Sequence, residues 1–251
     1  MASKRWRPGF TALWALLVGW PIVAWPVSFA AGDDSSSSGP KLIGSGGAAT
    51  AQREVEKFAD ISVSSAIKLD VNVGPEVEIA VTADDNILPH VITEVAGDRL
   101  KIYVDQNYKS KLGVKVNMST PELRGLRGSG AVKTTVTNAS GERFRLGLSG
   151  ASECKWKGEV EALAMKLDGG SKANVSGSAT RLDANCSGAA KLDARDLTAK
   201  SGKLVLSGAS TARVNVSDVL NVTASGASSL KYAGQPTIEK TVSGASRVSA
   251  E

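Results

Sequence analysis

The chain has 251 residues, of which 42% are hydrophobic and 22% charged, and its formal net charge is +5. Three of the 30 basic residues lie within the first 30 positions, which leaves 27 basic against 25 acidic residues, a net charge of +2, in the remainder. This near balance gives no support for nucleic-acid binding, and six aromatic residues beyond position 30 are too few for a platform that stacks bases or sugars.

Residues 1–30 have the layout of a secretory signal peptide, with a basic start, an apolar run over 10–25, and the small residues Ser28 and Ala30 at the cleavage site. The sequence therefore predicts cleavage before Ala31 and export to the periplasm or beyond, with no membrane span after cleavage. An uncleaved anchor is the alternative, because the run is nearly long enough to cross a bilayer. Prolines in and after the run favour cleavage.

Residues 31–54 are rich in Ser and Gly at their start and are predicted to be a flexible linker. Residues 55–125 form an N-terminal strand module, because apolar and polar residues alternate with period two. A short helical piece from Asp84, ended by Pro89, is the one departure from strands. The predicted strands cover 61–63, 67–73, 77–81, 100–104 and 114–118.

Residues 126–251 contain a near-identical turn, mostly Ser-Gly-Ala, that recurs every 18 to 20 residues. A fixed period of this length is typical of a solenoid, whose units bury their apolar faces only by stacking. We therefore expect a single-stranded parallel β-helix of about six coils, with the turns at its corners. The anchoring glycines of these structural turns are Gly130, Gly150, Gly169, Gly188, Gly208, Gly226 and Gly244.

Each position relative to the anchoring glycine forms a column when the coils are stacked. The columns four and two residues before the glycine and six after it are mostly apolar, which predicts that they face inward; Leu148, Leu167 and Leu206 share the second of them with Cys186. The residue after the glycine is always Ala or Gly, and we expect this small side chain to face inward at the corner.

The alternating module followed by serial Leu-x-x-Ser-Gly-Ala-Ser turns resembles the putative auto-transporter adhesin, head GIN domain family. The copies at 146–152 and 204–210 carry the resemblance most clearly, and it extends over residues 55–251. It implies an all-β, right-handed parallel β-helix and a location in the cell envelope. It implies no catalytic residues.

The sequence predicts no catalytic site, metal site or cofactor. His90 is the only histidine and has no neighbouring cysteine. The Ser-Gly-Ala turn lacks the flanking glycines of a nucleophile elbow. Some β-helix enzymes cut acidic polysaccharides with clustered aspartates, but the aspartates of the repeats fall in different columns: Asp168, Asp183, Asp193, Asp196 and Asp218.

Basic residues recur three or five positions after the anchoring glycines, and we expect neighbouring coils to bring them into one outward ladder. Such a ladder suits an anionic glycan or a lipid head group. Glu153 and Asp193 interrupt it, and charges that keep a β surface soluble are the alternative. The predicted binding residues are Lys133, Lys155, Lys172, Lys191, Arg213, Lys231 and Arg247.

Cys154 and Cys186 lie 32 residues apart in different columns, so we predict two buried thiols and no disulfide. Together these features predict a non-enzymatic exported β-solenoid that presents a surface for adhesion or envelope interaction. A polysaccharide-active enzyme and a scaffold for an envelope protein are the alternatives. The oligomeric state is left open.

Overall fold

Strands make up nearly all the regular structure of the computed structural model, which describes residues 41–251. The predicted signal peptide and its cleavage site lie outside the described residues. The elements are β1 (Leu42–Ile43), β2 (Ala48–Gln52), β3 (Asp60–Val63), β4 (Ile67–Val73), β5 (Glu78–Asp84), a 3₁₀-helix η1 (Leu88–His90), β6 (Val91–Ala96), β7 (Arg99–Val104), β8 (Tyr108–Lys109), β9 (Val114–Thr120), β10 (Gly125–Gly128), β11 (Lys133–Leu148), β12 (Glu153–Leu167), β13 (Lys172–Cys186), β14 (Lys191–Leu206), β15 (Thr211–Ala224), β16 (Ser229–Ala233), β17 (Thr237–Val242) and β18 (Arg247–Ala250).

Successive coils stack in parallel and in register, as the repeat predicts. Each of β11 to β15 has 14 to 16 residues and pairs with the next coil along nearly its whole length. The column two residues before the glycine is Leu148, Leu167, Cys186 and Leu206 on adjacent strands, and all four are at most 2% exposed. The predicted inward columns and the parallel β-solenoid are therefore confirmed.

The solenoid has about seven turns rather than the six expected from the repeats. The additional coil comes from the N-terminal module, because β3 pairs with β10 and β4 pairs with β11, both in parallel. Ser65, at φ 74°, takes the corner position below Gly130. Module and repeats thus share one core.

Each Ser-Gly-Ala corner depends on a glycine with positive φ, 69° to 84° at the seven anchoring positions. L-residues with a side chain rarely adopt this conformation. The expectation that the next small residue faces inward is wrong, since Ala151 and its equivalents are exposed. The corner interrupts the alternation of the strand, so the residue two after the glycine, such as Ser152, is the buried one.

The N-terminal strands extend the two sheets that meet at this corner. On one side the order is β2–β5–β9–β4–β11, with β5 antiparallel to both its neighbours. On the other side it is β6–β7–β3–β10–β11, with β6 and β7 forming an antiparallel hairpin. The five predicted strands of the module are all present.

Two expectations for the N-terminal region are wrong. The predicted linker contains β1 and β2 within residues 42–52, because β2 finds an antiparallel partner in β5 and β1 a parallel partner in β8. No helix starts at Asp84, which ends β5; the helical piece is η1, with Pro89 within its first turn. Proline is tolerated there because the first helical N–H groups have no partner within the helix.

The last coil departs from the inward pattern. Lys240 occupies the column that Leu204 and Val222 fill in the two preceding coils, and it is exposed. Val242 beside it is 41% exposed, whereas its register partner Ala224 is buried. A lysine at this inward position makes the free edge of β17 a poor template for pairing with a strand of another molecule.

Candidate functional site

The seven predicted binding residues lie on one face but in two columns. This face, which we call the lysine face, consists of the outward residues that follow each Ser-Gly-Ala turn. The column three after the glycine holds Lys133, Glu153, Lys172, Lys191, Thr211, Ser229 and Arg247. The column five after it holds Thr135, Lys155, Asn174, Asp193, Arg213, Lys231 and Ser249.

Most cations of the lysine face have no acidic partner. Of the seven predicted residues, only Arg213 forms an ion pair among residues 41–251, with Nη1 3.9 Å from Asp193 Oδ2 and Nε 4.0 Å from Glu251. Lys172 and Lys191 are exposed register partners on adjacent strands, so their like charges lie side by side. A shallow depression of about 370 Å³ opens between them and Arg213.

Two acidic residues interrupt this positive charge: Glu153, the register partner of Lys133 and Lys172, and Asp193. A hydrogen bond from the Arg195 side chain lowers the pKa of the Asp193 carboxyl. The two side chains are joined at 2.8 Å and 2.9 Å, a bidentate pair. Asp193 is therefore occupied by Arg195 and Arg213, and the lysines around it stay free.

A second basic surface lies before the turns, on the other side of the Ser-Gly-Ala corner. It is a groove of about 930 Å³ that crosses β7, β3, β10, β11, β12, β13 and β14 in turn. Its floor includes Gly147 and Ala164. We call it the arginine groove, after the cations that line it: Arg99, Arg127, Arg145, Lys166, Arg181 and Lys203.

The repeat that builds both faces also identifies the family of the chain. Residues 57–236 match the family described as "Putative auto-transporter adhesin, head GIN domain". The chain belongs to this family. The resemblance carried by the Ser-Gly-Ala turns is thereby confirmed. A comparison with curated proteins finds no match to the chain.

Several solved structures share the fold at low sequence identity. A putative adhesin from Bacteroides fragilis is 18% identical, with a TM-score of 0.76 over 83% of this chain and 98% of its own. A putative adhesin from Parabacteroides merdae is 18% identical, with a TM-score of 0.69 over 84% of this chain and 99% of its own. A putative lipid binding protein from Parabacteroides distasonis is also 18% identical, with a TM-score of 0.67 over 84% of this chain and 99% of its own.

The acidic residues that the structure describes in this head GIN domain form no close cluster. Asp168 and Asp183 line the arginine groove and pair there with Lys166 and Arg181. Across residues 41–251, no three of the His, Cys, Asp and Glu side chains gather closely enough to hold a metal ion. His90 Nδ1 lies 3.0 Å from Asp105 Oδ1 at the surface of the N-terminal module.

The two cysteines are buried free thiols in the solenoid core. Burial raises the pKa of both Cys154 and Cys186 to about 12. A thiol with so high a pKa is almost entirely protonated at neutral pH and is a poor nucleophile. Neither thiol lies at the surface of the lysine face or the arginine groove.

The arginine groove was missed by reading the repeat columns alone. The columns three and five before the glycine contain Gly147, Ala164 and Val205 as well as cations, so no charge pattern is evident along the sequence. The groove also takes Arg99 from the N-terminal module, which lies outside the repeat. A charge count by face, after the register is known, is the signal that identifies it.

None of the helical structure within residues 41–251 has the length and apolar character that a membrane crossing requires.

Proposed function

We propose that the protein acts as a non-enzymatic, exported binding module, whose lysine face attaches to an anionic component of the cell envelope or of a cell surface. The observation that carries this proposal is the set of unpaired cations on adjacent coils. Lys172 and Lys191 lie on neighbouring strands, which are about 4.8 Å apart. Two like charges at this separation favour an anion between them.

Membership of the head GIN family supports an adhesin-like role, and the structural neighbours that share the fold include putative adhesins. Export accords with the predicted signal peptide. A role as scaffold for an envelope protein would use the same lysine face, and only the partner would differ. The lysine face suits an anionic partner because Lys133, Lys155 and Lys231 add unpaired charge around the central pair.

A glycan array that includes sulfated glycans without carboxylates, combined with an assay for released reducing sugar, tests the proposal. We expect salt-sensitive retention of anionic glycans and no release of reducing ends. The double variant Lys172→Gln/Lys191→Gln should reduce retention. Lys200→Gln, an exposed change on β14 outside the lysine face, is the matched control.

Release of reducing sugar would favour the polysaccharide-active enzyme instead. Retention that is the same in the double variant and the wild type would assign binding to another surface.

A further inference from the structure

The arginine groove carries uncompensated positive charge. Lys166 Nζ lies 3.6 Å from Asp168 Oδ2 and Arg181 Nε lies 2.9 Å from Asp183 Oδ2, so these two cations are already paired. The other four, Arg99, Arg127, Arg145 and Lys203, form no ion pair among residues 41–251. They face one unpaired lining carboxylate, Asp60, which leaves a net charge of +3.

The strand residues of the floor keep the groove open. Gly147 is the register partner of Arg127, and a side chain at Gly147 would begin 3.5 Å from Arg127 Cγ. Arg127 Cγ therefore lies next to the bare backbone of Gly147 on the next coil. Ala164 is the register partner of Arg145 on the following strand. Small residues next to long cations leave a trough with charged sides and a flat floor.

The chemistry of the groove differs from that of the lysine face, where lysines predominate. Arg127 and Arg145 are diagonal neighbours on β10 and β11, since Arg127 pairs with Gly147, two residues after Arg145. A guanidinium presents its N–H donors in a planar fork that matches a carboxylate with two parallel hydrogen bonds. Two such forks side by side favour planar carboxylates.

The shape of the groove favours a polymeric ligand over a single lipid head group. It crosses seven successive strands, a length of about 29 Å at the usual strand spacing. Free cations occur at its Arg127 and Arg145 centre and again at Lys203. Recurrent cations along one axis suit a polymer with recurrent carboxylates.

We propose that the arginine groove binds the carboxylate groups of an acidic polysaccharide of the uronate type, with the polymer lying along the solenoid axis. This site uses no residue of the lysine face, so either proposal can fail while the other holds. Arg127 and Arg145 bind the carboxylates, and Gly147 and Ala164 leave room for the sugar chain.

Calorimetric titration of the purified protein with oligogalacturonate tests the proposal, with the methyl-esterified oligomer as the uncharged probe. We expect the wild type to bind the acid form and not the ester. Loss of hydrogen bonds to a charged group should make Arg127→Gln/Arg145→Gln weaker by about tenfold or more. Arg145→Lys should also weaken binding, because the lysine lacks the planar fork of donors even though it keeps the positive charge.

Two further variants separate a built site from general surface charge. Gly147→Leu should weaken binding without changing any charge, because it fills the floor. Arg143→Gln is the matched control, since Arg143 is an exposed and unpaired arginine on the same strand that does not line the groove; it should bind as the wild type does. Lys172→Gln/Lys191→Gln should also leave this titration unchanged.

Three outcomes would overturn the proposal. The first is no binding of oligogalacturonate by the wild type, and the second is equal binding of the methyl ester. The third is equal binding of oligogalacturonate by the wild type and by Arg127→Gln/Arg145→Gln. If vesicles of phosphatidylglycerol in phosphatidylcholine bind and lose affinity in this double variant while oligogalacturonate does not, the groove is assigned to a lipid surface.

Discussion

The carbonyl oxygen of Gly130 occupies the space into which a side chain on Gly150 would project. An ideal Cβ at Gly150 would be 2.6 Å from that oxygen. The same oxygen accepts a hydrogen bond of 2.8 Å from the N–H of Ala151. The corner of each coil is therefore fitted against the corner below it, both by hydrogen bonding and by the absence of a side chain.

Gly150→Ala should destabilise the protein by about 2 kcal/mol or more, because it combines a left-handed backbone with a clash against Gly130. Chemical denaturation monitored by circular dichroism measures the change. Gly170→Ala is the control. Its Cβ would lie 3.7 Å from the nearest atom and its φ is not positive, so we expect a change within about 0.5 kcal/mol. Equal effects at the two positions would contradict the corner geometry.

Leu206→Ala should cost roughly 2–5 kcal/mol, as for other truncations of buried leucines. Leu206 is fully buried and lies between Cys186 and Ala224 in the inward column. Val205→Ala on the outward side of the same strand is the matched control and should cost less. A loss below about 0.5 kcal/mol at Leu206 would show that the core tolerates a cavity at this point.

The inward columns could be predicted because the repeat returns each apolar residue to the same place. The corner could not, because the residues of the turn break the strand alternation and move Ala151 outward and Ser152 inward. β2 was missed for a different reason: residues 48–52 have no apolar alternation and are ordered by pairing with β5. The arginine groove requires the register between the module and the repeats, which no local pattern contains.

The cysteines should remain free. We expect two thiols per chain by thiol counting in denaturant without reductant, and almost no reaction under native conditions, because burial raises the pKa of Cys154 and Cys186 to about 12. Native reactivity should stay low well above neutral pH. A count of zero in denaturant would mean that the two residues are oxidised or that chains are cross-linked.

Asp84 should make the attachment of the N-terminal strands depend on pH. Its carboxylate is buried and accepts hydrogen bonds from Ser110 Oγ and, at 2.8 Å, from the N–H of Gly46. The Ser110 bond first, and the Gly46 bond second, lower the pKa of Asp84 below its ordinary value of 3.8. A lowered folded-state pKa gives stability that is present above the unfolded pKa and lost as the pH falls through the folded pKa.

Hydrogen exchange of residues 41–52 between pH 6 and pH 3 tests this dependence, after correction for the intrinsic effect of pH on exchange. Protection should fall with pH in the wild type below about pH 4. Asp84→Asn should show reduced protection at pH 6 and little further loss. Asp218→Asn, an exposed change in β15, should behave as the wild type does. An Asp84→Asn variant with full protection at pH 6 would show that the carboxylate does not hold this segment.

Because the coils stack in register, equivalent outward side chains lie at regular intervals along the solenoid axis. Any outward side chain can be exchanged without touching the core, and its distance from its counterpart on another coil changes only in whole steps of about 4.8 Å. Insertion or loss of one complete repeat would lengthen or shorten each surface by one such step and leave the remaining spacings intact. The solenoid thus separates the composition of a binding surface from its pitch, and only the composition is free to vary by point substitution.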